Sequence, residues 1–220
     1  MSSTPRVAIL ISGSGSNLQA FIDEIAEGGY PAQICGVVSD KPSAYGLQRA
    51  DSAGLPTRVV RRGDYPSRDA FDAGLLQALT ALQPDIVVLA GFMRILRGEI
   101  VARYAGRLLN IHPALLPKYK GLDTHARCLA NGDPVHGSTV HFVTAELDDG
   151  PGIIQAQLEV APEDDVASLQ QRVQALEHRI YPMAVRWLAE GRLAFLDGQV
   201  VLDEQPLATP VLVTADDLRG

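Results

Sequence analysis

Two rhythms of apolar positions alternate along the first half of the chain. Val7 to Ile11 is a continuous apolar run that ends in Ser12-Gly13-Ser14-Gly15-Ser16, the pattern of a strand buried on both faces. From Asn17 the spacing changes to Leu18, Phe21, Ile22 and Ile25, one face of a helix that stops at Gly28-Gly29. The same reading predicts strands at Ile34 to Val38, Thr57 to Val60, Asp85 to Ala90 and Arg107 to Ile111. Helices are predicted at Tyr45 to Ala53 and from an N-cap at Ser67 through Leu82, where Pro84 ends the pattern. Strand and helix in alternation predict an α/β fold with an open, mostly parallel, twisted sheet and helices on both faces. Ligands of such sheets sit beyond the carboxyl ends of the strands. Three polar or glycine-rich segments fall there: Ser12 to Asn17, Gly91 to Leu96 and Asn110 to Pro113.

After residue 120 the rhythm changes. Thr139 to Val143 and Ile153 to Val160 read as strands on either side of a turn-rich loop, Glu146 to Gly152. A long helix follows, with Leu169, Val173, Leu176, Ile180 and Trp187 on one face, and Pro182 is expected to bend or break it. The tail from Arg192 holds short strand-like pieces, and about the last fifteen residues are expected to be loosely held. No linker separates two domains, so the 220 residues are read as one.

Composition narrows the function. With 46% hydrophobic and 20% charged residues the chain is ordinary globular protein. Its net charge of -7 argues against coating nucleic acid, while leaving room for a local pocket for one small anion. Two cysteines, Cys35 and Cys128, are too few for a disulfide scaffold. The longest apolar run, Ile86 to Met93, is far below the roughly 20 residues of a membrane span. Val7 to Ile11 is too short for a signal peptide. A reducing, cytoplasmic setting is expected.

Three motifs carry chemistry. Gly13 to Asn17 lies between a strand and a helix start, where glycines admit an anion to free backbone N–H groups. Leu18 stands where a dinucleotide fingerprint needs glycine, and no P-loop lysine is present; Asp40 could pass for the ribose acid of a dinucleotide site. Asn110 and His112 are two apart at a strand end and share a face. An amide donor beside an imidazole suits a developing oxyanion and proton shuttling; a histidine merely satisfied by a backbone carbonyl would leave the same trace. Asp148 lies in the loop between two strands, either solvated or placed to hold His112. The other histidines lack metal-ligand spacing, so no metal is expected. No nucleophile stands in an activated context, which favours direct transfer between bound reactants.

Taken together, these pieces resemble the phosphoribosylglycinamide formyltransferases, also called glycinamide ribonucleotide transformylases, a folate-dependent formyltransferase family. The likeness runs in order through Ile11 to Gln19, Val88 to Leu96, Leu109 to Pro113, Leu115-Leu116-Pro117, His136 to Val143, Leu147-Asp148 with Gly150-Pro151, and Gln174 to Pro182. It implies a single formyltransferase domain with a Rossmann-type first half. Residues 6–105 would bind the nucleotide phosphate, 106–195 would hold catalysis and folate binding, and 196–220 would be a tail. It implies transfer of a formyl group from 10-formyltetrahydrofolate, a cosubstrate, to the amine of glycinamide ribonucleotide in purine synthesis.

By that resemblance Asn110, His112 and Asp148 are catalytic, and Gly15, Ser16, Asn17, Gln174 and Glu177 bind the ribonucleotide. Arg68, Met93, Arg94, Ile95, Leu96 and Val101, with Val143, Thr144, Ala145, Glu146 and Leu147, surround the folate. Partners would be small molecules only, without nucleic acid or membrane, and the chain a monomer or homodimer. Ala114, Asp149 and Lys120 depart from the pattern, where Ser, Gly and Pro are usual; Asp148 rather than Asp149 is in register with the motif. A 10-formyltetrahydrofolate hydrolase and a non-catalytic nucleotide-binding module are the alternative readings.

Overall fold

A computed structural model describes residues 4–218 of the chain. By internal packing the chain forms two compact units that meet in the sequence at Leu109/Asn110.

In the first unit, β1 (Arg6–Ile11), β2 (Gln33–Ser39), β3 (Thr57–Val59) and β4 (Ile86–Leu89) lie in the order β4-β1-β2-β3. All pair in parallel. Ala8 to Ile11 of β1 and Val87 and Val88 of β4 are wholly enclosed, as their unbroken apolar runs require. The crossovers are α1 (Ser16–Ala26), α2 (Tyr45–Ser52) and α3 (Arg68–Leu82), joined by a 3₁₀ turn at Arg62–Asp64. Ser67 caps α3 as predicted, its hydroxyl accepting from the Ala70 N–H at 3.1 Å. A five-residue helix, α4 (Glu99–Arg103), lies in a stretch where the apolar pattern is too short to announce it. Strand β5 (Leu108–His112) carries the chain into the second unit.

There, β6 (Val135–Phe142) and β7 (Gly152–Glu159) pair antiparallel, with a register shift between Val140 and His141. The helix α5 (Thr124–Asn131) precedes them. The long α6 (Val166–Ala189) opens with a capping box made by Asp165 and Ser168. Pro182 does not break it: the helix runs unbroken over 24 residues, so packing of its buried face against β6 and β7 outweighs the missing N–H.

The tail carries the two strand-like pieces expected after Arg192 and differs from expectation beyond them. Strands β8 (Leu193–Leu196), β9 (Gln199–Leu202) and β10 (Gln205–Pro206) form a small antiparallel sheet. Strand β11 (Val211–Thr214) then pairs in parallel with Ile154 to Gln157 of β7. Four backbone pairings in register hold a segment whose prolines and acidic residues gave no strand signal. Among the described residues, no helix is long and apolar enough to cross a membrane.

Candidate active site

In the first unit the chain leaves β1 through Gly13 to Asn17 and enters α1, whose N-cap is Gly15 at φ 69°. That left-handed backbone suits glycine. A Cβ there would also lie 2.5 Å from the Gly46 Cα, so the loop is packed directly on α2. The Gly46 N–H donates to the Gly13 carbonyl at 3.0 Å, and Arg49 Nε donates to the Ser14 carbonyl at 2.9 Å. The loop is thus fixed from behind, with the first N–H groups of α1 at its mouth.

The segment after β4 is tied just as firmly. Arg68, at the start of α3, donates to the Ile95 carbonyl and pairs with Asp72 at 2.9 Å. Arg97 joins Asp72 at 2.8 Å and Asp69 at 2.6 Å. Arg68 therefore meets the Met93–Leu96 segment through the Ile95 carbonyl. Leu96 is buried, while Met93 and Ile95 stay exposed at 61% and 52%. Val101 lies on α4.

The second unit brings the predicted catalytic residues together. His112, at the end of β5, has its Nδ1 3.4 Å from Asp148 Oδ2, and both side chains are over nine-tenths buried. Its Nε2 donates to the Tyr119 carbonyl at 2.8 Å. Both ring nitrogens face acceptors, so an imidazolium here has a partner for each N–H. Asp148 takes the left-handed conformation, φ 48°, tolerable for aspartate, and its Oδ2 accepts from the Gly121 N–H at 3.0 Å. Asp149, the rival carboxylate, turns instead to Lys120. Two positions that depart from the family pattern therefore pair with each other, and Asp148 is left to His112.

Asn110 is oriented by a residue that the sequence reading passed over. Its Nδ2 lies 3.2 Å from His141 Nε2, and His141 Nδ1 lies 2.9 Å from the Phe142 carbonyl. Burial lowers the His141 pKa below the ordinary histidine range, so the ring is neutral. Its one N–H goes to Phe142, and its Nε2 is left as an acceptor. Asn110 must then donate to it, which sets the amide orientation and leaves the second N–H of Nδ2 for a ligand. His141 Nε2 is also 3.9 Å from Asp148 Oδ1.

A second layer joins this cluster to α6. The Ser138 hydroxyl lies 2.8 Å from the His112 carbonyl and 3.2 Å from Glu177 Oε1. Glu177 is buried, and Gln174, one turn earlier, shares its helix face. Thr139 Oγ1 donates to the Ala114 carbonyl at 2.7 Å and accepts from the Leu116 N–H at 3.1 Å. Those bonds hold the turn that returns the chain to Tyr119. Val143, Thr144, Ala145, Glu146 and Leu147 lead from β6 into Asp148, and Leu147 is half exposed. Gly150 closes this loop, where a Cβ would overlap the Phe142 carbonyl oxygen at 1.8 Å.

Tyr119 and Gly121 contribute only backbone groups, which no side-chain pattern reveals. His141 and Ser138 had a legible signal, two polar residues inside an otherwise strand-like segment. Asp40 is no ribose ligand; it is buried against Ser12 and Arg94. Among the described residues no group of three or more His, Cys, Asp or Glu is placed to hold a metal ion.

Residues 5–185 match the formyl transferase family model. The phosphoribosylglycinamide formyltransferase of Escherichia coli is 50% identical over 199 residues, 88% of this chain and 94% of the relative. That of Haemophilus influenzae is 43% identical over 92% of this chain and 95% of its own. The solved structure of the Coxiella burnetii phosphoribosylglycinamide formyltransferase superposes with a TM-score of 0.92 at 46% identity, covering 96% of this chain and 99% of that one. With full-length likeness in sequence and in fold, the chain belongs to the formyl transferase family, in its phosphoribosylglycinamide formyltransferase group.

Proposed function

We propose that the protein transfers the formyl group of 10-formyltetrahydrofolate to the amine of glycinamide ribonucleotide in de novo purine synthesis. The observation that carries this reading is the meeting of Asn110, His112 and Asp148 in the second unit, with His112 Nδ1 3.4 Å from Asp148 Oδ2. The amine nitrogen attacks the formyl carbon, and the carbonyl oxygen becomes an alkoxide. Asn110 offers the N–H left over from His141. His112 offers its Nδ1–H, whose contact with Asp148 is long enough to be shared with an oxyanion. Two such donors contribute about 3–4 kcal/mol each to stabilising the alkoxide. Asp148, in contact with His112 Nδ1, takes part in moving the proton lost by the attacking amine to the folate nitrogen. The alkoxide then collapses, and the bond from the formyl carbon to that nitrogen breaks. Holding both reactants in place supplies about 7–11 kcal/mol more.

In this reading Gly15, Ser16 and Asn17 receive the ribonucleotide phosphate at the α1 N-terminus, and Gln174 and Glu177 receive the ribose. Arg68, Met93, Arg94, Ile95, Leu96 and Val101, with Val143 to Leu147, take the formyl-folate, which is consumed each turnover. The chain works in the cytoplasm as a monomer or homodimer, on small molecules alone.

The test is to follow loss of the formyl donor with and without glycinamide ribonucleotide. Loss that requires the ribonucleotide is expected. Equal loss without it would make the protein a hydrolase.

A further inference from the structure

The buried Asp40 carboxylate has no part in the transfer chemistry, yet it is the most enclosed charged group of the first unit. Its side chain is fully buried beside Arg94. Its Oδ1 accepts from the Ser12 hydroxyl at 2.5 Å, and its Oδ2 accepts from Arg94 Nε at 2.7 Å. A carboxylate taken out of water is costly unless both oxygens find strong donors, and here both donors belong to functional segments. Ser12 ends β1. Its hydroxyl accepts from the Met93 N–H at 2.8 Å, and its own N–H donates to the Gly91 carbonyl at 3.1 Å. The segment after β4 is therefore fastened to Ser12 at Gly91 and Met93, and to Asp40 at Arg94. Because Ser12 spends its one proton on Asp40, its lone pairs are aimed at the Met93 N–H. The anchoring leaves Met93 and Ile95 exposed on fixed backbone.

We propose that Asp40 and Ser12 are positioning residues for formyl-donor binding: together they hold the Gly91–Arg94 backbone in the shape that receives the folate. The proposal rests on the assignment of Met93 to Leu96 to the formyl-folate. Removing the Asp40 acceptor frees the Ser12 hydroxyl and Arg94 at once, and the loop loses its shape without any loss of the transfer groups.

The experiment is steady-state kinetics on Asp40→Ala, Asp40→Asn, Ser12→Ala and the double variant Ser12→Ala/Asp40→Ala, with urea midpoints measured beside them. Asp40→Ala is expected to raise KM for the formyl donor tenfold or more, with KM for the ribonucleotide within twofold of wild type. Asp40→Asn keeps an oxygen acceptor for Ser12 and recovers most of that loss. Ser12→Ala, which changes one atom and keeps the bond to Gly91, raises the same KM. The double variant is no worse than the poorer single one, because both break one chain of bonds. The proposal is overturned if both KM values rise by the same factor, if the donor KM stays within twofold of wild type in Ser12→Ala, or if the single effects multiply. A wild-type protein with no ribonucleotide-dependent formyl loss would instead refute the functional reading itself. Should Asp40→Ala not fold, Ser12→Ala and Asp40→Asn decide the matter alone.

Discussion

His141 decides which way the Asn110 amide points, and it does so because burial keeps its ring neutral. Replacing it with alanine leaves Asn110 free to present its oxygen to the reacting carbonyl. The expected outcome is a fall in kcat on the order of tenfold or more, the smaller end of what one misplaced donor costs, with both KM values nearly unchanged. Steady-state kinetics check this, and a change confined to KM would speak against an orienting role. Acid stability draws on three histidines of the second unit, the buried His136 and His141 and the half-buried His125. His125 and His136 meet at 3.0 Å. Burial, and then the neighbouring His125, push His136 down to about 4, with Asp133 opposing and His112 adding slightly. His125 and His141 are lowered as well. The unfolded chain takes up these protons near pH 6.5 while the folded chain refuses them. Stability is therefore full above that pH and falls as the pH drops toward 4, by about 3 kcal/mol from His136 alone. Urea midpoints between pH 7.5 and 4.5 should show the slope, and His136→Gln should flatten it. The meeting of His112 with Asp148 was legible in the sequence only through the family resemblance, since position alone left Asp148 equally a solvated loop residue. His141 was polar in a strand and so visible, but its pairing with Asn110 depends on β5 and β6 lying side by side across α5, and the Tyr119 carbonyl was missed because backbone groups leave no trace in residue identity.

At the scale of elements, each loop is shaped by what packs behind it. Gly15 lies 2.5 Å, Cβ to Cα, from Gly46 across the α1–α2 contact. Gly15→Ala must push the two helices apart and strain a left-handed residue. It should raise KM for the ribonucleotide at least tenfold while leaving the formyl-donor KM within about twofold. Competition binding with the ribonucleotide checks this; equal effects on both substrates would refute the assignment of the phosphate to this loop. The pair Lys120–Asp149 ties the Tyr119–Gly121 segment to the loop of Asp148 from outside. Both side chains are well exposed, so the pair is worth roughly 0–1 kcal/mol. Asp149→Gly should change kcat by less than about threefold. Element existence was readable where periodicity ran long, as in α3 and α6. It was unreadable in α4, which has five residues, and in β11, whose reason to be a strand is the β7 edge it covers. Pro182 misled for a related reason: a local rule about helices gave way to tertiary packing.

At the scale of the whole molecule, the chain divides its work. On the proposed reading the first unit carries the phosphate loop and the anchored Gly91–Leu96 segment, and the second carries the cluster of Asn110, His112 and Asp148. The alternation of strand and helix made the four strands and three crossovers of the first unit legible, α4 excepted, since each crossover follows from local pattern. The second was half legible, because an antiparallel pair and a C-terminal strand added in parallel depend on partners distant in sequence. On the proposed reading binding groups lie in both units while the transfer groups lie in the second, so a loss of chemistry without a loss of binding can be measured. The most direct test is single-turnover transfer by His112→Ala with the formyl donor and glycinamide ribonucleotide both saturating, alongside ribonucleotide binding by calorimetry. The account predicts a rate lower by about 10²- to 10⁴-fold with ribonucleotide affinity close to wild type. A transfer rate equal to wild type would contradict it.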